Sequence, residues 1–295
     1  MVLMFLLLNC FASYAANEDL ITKQITLKLT EAGTLPNKIA SSEKNLVTNL
    51  KIIGEINGTD LRFIREMAGC DIEGYRTSGI LSVLDLSEAR FVAGGDYYYC
   101  YSGHYYYTSN DIIGASVFSD CRSLTSVIIP SSVTEIGWGV FKYCRSLTSV
   151  NIPSSVTEIG EYAFWGCSSL TSVDIPSSVT SIGERAFYDC SGLRSIYVYA
   201  GTVPSTVAGA FEGCDSKNCT LYVPKGTYDA YWLTEWGYFE NIVEFDAANI
   251  RNIVMEPEVQ ENARYAVNGQ RLTAPVKGIN LVKYNNGRVK KEIVK

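Results

Sequence analysis

From Leu124 onward, apolar and polar positions recur in a fixed order. The run Leu124-Thr-Ser-Val127-Ile-Ile129-Pro130-Ser-Ser-Val133-Thr-Glu-Ile136-Gly137 returns 23 residues later from Leu147 to Gly160, and again from Leu170 to Gly183. A fourth start, Leu193-Arg-Ser-Ile196-Tyr-Val198, keeps the step, and Phe118, Phe141, Phe164 and Phe187 hold the same register, as do Cys121, Cys144, Cys167 and Cys190. A period in this range is the signature of a stacked-repeat architecture. Within a unit, L-x-x-V-x-I predicts a short strand with its apolar side chains turned inward, ended by proline. The tail of each unit, such as Gly183 to Cys190, predicts a turn and a short helical segment. One unit cannot bury its own apolar face, whereas units stacked about 4.8 Å apart bury a continuous column. The expected architecture is a right-handed solenoid of mainly parallel β coils, capped at both ends.

Weaker copies bound this column. Leu81-Ser-Val-Leu84-Asp-Leu86 matches the strand pattern, and Ile113-Gly114 matches the Ile-Gly step of later units. Ile113 follows Leu86 by 27 residues where Ile136 follows Ile129 by 7, so an insertion of some 20 residues near 93–111 interrupts this coil. Further upstream, Asn57-Gly-Thr-Asp60 predicts a helix start, Leu61, Ile64 and Met67 fall on one face, and Gly69 stops the helix. Residues 17–80 are therefore expected to form an N-terminal region and helical cap, and 81–224 the solenoid proper. Leu221-Tyr-Val223-Pro224 is the last strand in phase. Tyr228, Tyr231, Trp232, Trp236 and Phe239 suit an aromatic cap over 225–246. Residues 247–261 read as a linker, and 262–295 as a small β tail with a hairpin around Asn285-Asn-Gly287. At the other end, Val2 to Phe11 is apolar apart from Asn9 and Cys10, and at about ten residues is too short to span a bilayer. It runs into Ala12-Ser-Tyr-Ala-Ala16, which predicts a signal peptide over 1–16. A rival reading makes Cys10 a lipidated residue.

Composition narrows the function. A net charge of −6 argues against a nucleic-acid surface, which needs clustered Lys and Arg. Charged residues are only 19% of the 295, while tyrosine, with 20 copies, covers surface without charge. His104 is the one histidine, so no Ser-His or Cys-His pair exists that does not use it, and Cys100-x-x-x-His104 lacks the further ligands a metal site needs. Among outward strand positions, Asp85 and Asp174 lie three coils apart, or about 14 Å, beyond the roughly 5–9.5 Å of a glycosidase pair. Neither an enzyme nor a cofactor or metal is expected. The eight cysteines other than Cys10 do not demand bridges. Stacked equivalents point their side chains in parallel, too far apart at Cβ, so buried thiols are expected in the ladder. Cys214 and Cys219 break that ladder and are left open to a disulfide. The insertion has the strongest claim to binding, because loops that interrupt repeats often carry function and tyrosine supplies rigid amphipathic contact area. Its candidate contacts are Tyr97, Tyr98, Tyr99, Tyr101, Tyr105, Tyr106 and Tyr107, joined by Tyr197 and Tyr222 on the strand face. The alternative is that the insertion packs back as a lid.

The unit S-L-T-S-V-x-I-P-S-S-V-T-x-I-G-x-x-A-F-x-x-C resembles the BspA-type leucine-rich-repeat family of bacterial surface proteins. The upstream Gly54-Glu-Ile-Asn-Gly-Thr-Asp60 and Leu84-Asp-Leu-Ser87 segments are similar to members from Bacteroides-like organisms. The end, Asn268-Gly-Gln-Arg-Leu272 to Lys295, resembles the C-terminal sorting tails of that phylum. The resemblance implies a leucine-rich-repeat solenoid, secreted or held at the outer cell surface, that binds host or matrix proteins or other cells, with glycans also open as ligands. It implies no cofactor and no fixed ligand residues, and it leaves the oligomeric state open. A purely structural envelope component is the second reading. The tail, set off by a polar linker, is expected to direct export or attachment. Deleting 262–295 should leave the melting temperature of the remainder nearly unchanged while altering where the protein accumulates in its native cell; a large loss of thermal stability would contradict this.

Overall fold

The L-x-x-V-x-I hexads form strands because every second residue is a branched aliphatic turned inward, with Ser, Asn or Asp, and in two coils Ile128 and Tyr197, turned outward. Neither face would suit a helix. The computed structural model describes residues 20–246, 261–266, 271–272, 274, 276–284 and 289–294. The expected signal segment 1–16, the Cys10 alternative and almost all of the expected linker lie outside the described residues. In chain order the strands are β1 (Ile25–Lys28), β2 (Asn49–Ile56), β3 (Val83–Phe91), β4 (Gly94–Tyr101), β5 (His104–Thr108), β6 (Ser126–Ile128), β7 (Glu135–Ile136) and β8 (Ser149–Asn151). Then follow β9 (Glu158–Ile159), β10 (Ser172–Ile175), β11 (Ser181–Ile182), β12 (Ser195–Val198), β13 (Ser205–Thr206), β14 (Thr220–Pro224) and β15 (Asn241–Phe245).

Parallel sheets run the length of the column. One side carries the order β1-β2-β3-β6-β8 and then, after a gap in the ladder, β10-β12-β14-β15; another side carries β13-β11-β9-β7. The register pairs sequence equivalents: Val127 with Val150, Val173 with Ile196, Ile159 with Ile182. Leu124, Leu147, Leu170 and Leu193 are all fully buried, as the period requires. The chain is thus a parallel-strand solenoid with little helix.

The Phe-Cys corner departs from the expected short helical segment. Alternate N–H groups there donate across to the next coil rather than along the chain: Gly139 to Glu161 O at 2.9 Å, Phe141 to Ala163 O at 2.7 Å and Tyr143 to Trp165 O at 2.7 Å. Each corner also holds two residues at positive φ, such as Gly139 and Tyr143, or Tyr162 and Gly166. A helix tolerates neither, so the corner is a chain of turns. Inside it the phenylalanines stack from Phe118 to Phe211 with centroids 5.0–5.7 Å apart. The thiols of Cys144, Cys167, Cys190 and Cys214 donate to the carbonyls of Phe118, Phe141, Phe164 and Phe187 at 3.0–3.2 Å. Cys214 therefore continues the ladder rather than breaking it, and both it and Cys219 are free thiols.

The N-terminal segment does more than cap. β1 pairs in parallel with β2, and β2 with β3, so two further coils precede Leu81 and bury Leu29, Leu35, Val47, Leu50 and Ile52 in the same core. The predicted helix spans Gly58–Met67. Asn57 caps it through Thr59 N, and Asp60 accepts from the N–H groups of Asn57, Gly33 and Leu35, tying the helix start to the chain before it. Leu61, Ile64 and Met67 are fully buried. At the opposite end Trp236 and Phe239 close on Phe211, with centroids at 4.8 and 5.1 Å. Tyr231 and Trp236 satisfy their polar atoms on Ala200 O and Pro204 O, whereas Tyr228 and Trp232 remain exposed.

Residues from Asp246 onward form a separate compact unit. Its strands, β16 (Glu261–Ala266), β17 (Arg271–Leu272), β18 (Gly278–Tyr284) and β19 (Val289–Val294), make an antiparallel sheet in the order β17-β16-β18-β19. The expected hairpin is the β18–β19 pair, whose connecting residues 285–288 lie outside the described residues.

Because each coil packs only on its neighbours, a gap left in one cannot be refilled from elsewhere. Leu170→Ala should therefore lower stability by about 2–5 kcal/mol, read as a shifted denaturation midpoint; unchanged melting would mean that Leu170 is not a core position.

Candidate functional site

The tyrosine-rich insertion folds as an antiparallel hairpin of β4 and β5, turning at Ser102 and Gly103, both at positive φ. Strand alternation alone would give each face every second tyrosine. The ladder is irregular between Gly94 and Tyr99, however, and this shift lets the consecutive residues Tyr98 and Tyr99 both turn inward. Tyr98 is 1% exposed, and its hydroxyl donates to Ala115 O at 2.8 Å. Tyr99 packs on Tyr106 at 5.7 Å. On the outer side Tyr97 meets Tyr105 edge-on at 4.8 Å and Tyr107 at 6.3 Å, with the Arg62 guanidinium 5.5 Å from the Tyr97 ring. Tyr101, Tyr105 and Tyr107 are 62%, 55% and 57% exposed. The seven tyrosines thus divide: Tyr98 and Tyr99 are anchors with Tyr106 half-buried beside them, while Tyr97, Tyr101, Tyr105 and Tyr107 face or border solvent. Burial pushes the phenols of Tyr98 and Tyr99 up, so neither ionises at physiological pH.

The hairpin is held from below by a cation that sequence inspection passes over. Arg65, on the buried side of the helix Gly58–Met67, has no solvent exposure. Its guanidinium donates to Ser116 O at 2.9 Å, Val117 O at 3.0 Å and Asp71 O at 2.9 Å, and lies 4.8 Å from the Tyr99 ring centroid. One planar fork therefore joins the helix, the first regular corner and the insertion, a task a point-charge ammonium cannot do. The hairpin's stem is fixed as well. Arg90 grips Asp111 through two bonds of 3.0 Å, Asp96 N donates to Thr59 Oγ1, and Cys100 N to Ile72 O. Arg90 holds the Asp111 carboxyl below the usual range.

The second expected pair, Tyr197 and Tyr222, lies on neighbouring strands β12 and β14 in direct register. Their rings stack at 4.4 Å and 7°. Phe245 on β15 meets both Tyr197 and Tyr199, and Tyr199, whose phenol burial pushes up to about 12, was not foreseen. Tyr199 follows the inward Val198 at a position the repeat usually gives to loop residues. The structure keeps this patch on the four-stranded ladder β10-β12-β14-β15, distinct from the strands flanking the hairpin.

His104 sits exposed in the hairpin, opposite Tyr101. Among the described residues no group of three His, Cys, Asp or Glu side chains is placed to hold a metal. Asp85 and Asp174 are separated by the intervening strands β6 and β8, and Asp85 bonds Ser87 N and pairs with Lys51. A hollow of about 210 Å³ beside Phe211, Glu235 and Tyr238 is smaller than the roughly 300–1,000 Å³ of ligand pockets. No helix among the described residues is long and apolar enough to cross a membrane.

Residues 110–228 match the BspA type leucine rich repeat region family, in six copies. Among solved structures, a leucine rich repeat protein of T. pallidum is 23% identical over 47% of this chain and 65% of that one, with a TM-score of 0.38. A leucine rich cell surface protein from Faecalibacterium prausnitzii is 29% identical over 49% and 32%, with a TM-score of 0.32. A leucine-rich repeat protein from Bacteroides ovatus is 22% identical over 69% and 49%, with a TM-score of 0.42. The chain accordingly spans less than two thirds of each of those proteins. No curated protein matches it.

Replacing Arg65 by methionine should leave Val117 O without its donor, while Ser116 O and Asp71 O keep Ser119 N and Gly74 N, and should release Tyr99, lowering stability by about 1–3 kcal/mol. Limited proteolysis should then cut within 93–111 before any other site; protection equal to that of the unaltered chain would show that Arg65 does not hold the hairpin.

Proposed function

The repeat region of this chain belongs to the BspA-type leucine-rich-repeat family, and from that premise we propose that it is a non-catalytic binding module, secreted or held at the cell surface, that grips a partner protein through the outer face of the tyrosine hairpin. The observation that carries this reading is the division of labour within one hairpin. Tyr98 and Tyr99 are sunk into the fold, while Tyr105 and Tyr107 stand more than half exposed and touch Tyr97 edge-on. Such rings have already lost much of their rotamer freedom, so little more is lost when a partner covers them. Arg62 beside Tyr97 adds a charged anchor of the type that concentrates binding energy. The strand faces of the regular coils offer mainly small polar residues such as Ser126, Ser149, Asn151 and Ser172 outward, which are poor anchors. The apolar segment at the start of the chain supports an extracellular placement, in which a host or matrix protein or another cell is the partner.

The triple substitution Tyr97→Ser, Tyr105→Ser and Tyr107→Ser should weaken binding to the matrix or cell-surface protein captured by the intact chain at least tenfold, or about 1.4 kcal/mol, with melting unchanged. Tyr98→Ser should instead destabilise the protein by about 3 kcal/mol or more. Unaltered affinity in the triple variant, or no protein captured at all, would overturn the reading, and the latter outcome would favour a structural envelope role.

A further inference from the structure

The corners of successive coils place their left-handed residues at two equivalent positions. The first is occupied by Ser116, Gly139, Tyr162, Arg185 and Gly209, the second by Asp120, Tyr143, Gly166, Asp189 and Gly213. Glycine, and to a lesser degree aspartate, suits this backbone; a bulky side chain such as that of Tyr143, Tyr162 or Arg185 does not. Tyr143 and Tyr162, at φ 60° and 58°, are therefore kept against the preference of the backbone. Strain retained in this way points to a use for the side chains.

Both belong to one surface cluster. Trp138 meets Tyr162 at 5.6 Å, Tyr162 meets Trp165 at 5.3 Å, Tyr143 meets Trp165 at 5.3 Å, and Trp165 meets Tyr188 at 5.7 Å, so the rings cover three successive coils. They lie outside the buried phenylalanine stack, and Trp138 is 38% exposed. In their midst the Lys142 ammonium lies 4.3 Å from the Trp165 centroid, 5.3 Å from those of Trp138 and Tyr143, and 5.9 Å from that of Tyr162. No ion pair among the described residues includes Lys142. Burial lowers its pKa, against a weaker upward pull from Asp120. This is a half-desolvated cation met by ring faces at close range and by the Asp120 carboxylate only through space, and an anion would complete it.

The kind of anion follows from what the corner lacks. Its N–H groups are spent between coils, Tyr143 on Trp165 O, Tyr162 on Glu184 O and Gly166 on Tyr188 O. No free main-chain edge is left there to pair with an extended peptide. What remains is a cluster of rings on three successive coils, crossing at 37–81°, with Lys142 in their midst and the Arg145 and Arg185 guanidinium groups each 5.7 Å from the Tyr143 and Tyr188 rings, respectively. Pyranose rings pack their C–H faces on Trp and Tyr, and a cluster that covers three coils offers room for more than one sugar unit. We propose that the corner formed by Trp138, Lys142, Tyr143, Tyr162, Trp165 and Tyr188 is a binding site for an acidic polysaccharide built of uronate units. Lys142 takes the carboxylate, and Trp165 with its neighbours stacks on the sugar faces. This site is independent of the tyrosine hairpin.

The test is calorimetric titration of the intact chain with a galacturonate hexamer, its methyl-esterified form and a glutamate hexapeptide. The acid saccharide should bind, its ester at least tenfold more weakly, and the peptide not measurably. Trp165→Ala and Lys142→Gln should each reduce affinity for the hexamer at least tenfold. Tyr143→Gly and Tyr162→Gly should do the same while melting stays level or rises, since glycine relieves the left-handed backbone, an outcome that a purely packing role would not produce. The variant lacking Tyr97, Tyr105 and Tyr107 should bind the hexamer normally, which separates this site from the protein-binding one. No binding of the hexamer, equal binding of the ester, tighter binding of the peptide, or full affinity in the glycine variants would each overturn the proposal.

Discussion

Hydrogen bonds from each coil to the next are the constraint on which the rest of this structure depends. Neighbouring strands in such a ladder sit about 4.8 Å apart, and that spacing decides which side chains can stand above one another. Flat rings can, which is why phenylalanine recurs from Phe118 to Phe211. A small thiol that reaches the carbonyl of the coil before it can as well. At the Ile-Gly step the backbones come closer still. A β-carbon on Gly160 would lie 2.9 Å from Ile136 O, and one on Gly183 2.5 Å from Glu161 N, so these glycines answer to the neighbouring coil rather than to their own turn. The repeat is thus a record of contact between copies.

This explains which parts of the fold could be read in advance. Strand positions, core leucines and the thiol ladder follow from the period. The helix Gly58–Met67 follows from its own cap and apolar face, down to Asn57 and Gly69. β1 and β2 do not show the 23-residue step: Ile25 pairs with Leu50, 25 residues on, and Asn49 with Val83, 34 residues on, with the helix lying between β2 and β3. The short helical segment expected at each corner failed for a different reason. Local composition suits a helix there, but the next coil competes for the same N–H groups and wins.

The two proposed binding surfaces are legible in the sequence only in part. The insertion is plainly rich in tyrosine, but its buried and exposed members are not legible, because the irregular register that accompanies the burial of both Tyr98 and Tyr99 is invisible in a linear string. Arg65 reads as an ordinary polar residue on an amphipathic helix until its acceptors arrive from Ser116 and Val117, some fifty positions away. The corner cluster is hidden more thoroughly. Of its ring contacts only Trp165 with Tyr188 joins equivalent places in successive units; the others link different positions of the repeat. Both surfaces follow the same design, in which the regular coil supplies rigidity and departures from regularity supply chemistry.

The thiol ladder carries a consequence of another kind. Cys144, Cys167 and Cys190 are fully enclosed, and burial lifts their pKa far above that of a free thiol. The thiolate, not the thiol, reacts with oxidants and disulfides, so a closed coil is inert to both. Each of these cysteines becomes reactive only when its own coil parts from the one before. Placed one per turn along the axis, they form a natural set of depth gauges. The order in which they are alkylated under native conditions would trace where the stack frays first and how far an opening travels before it reseals.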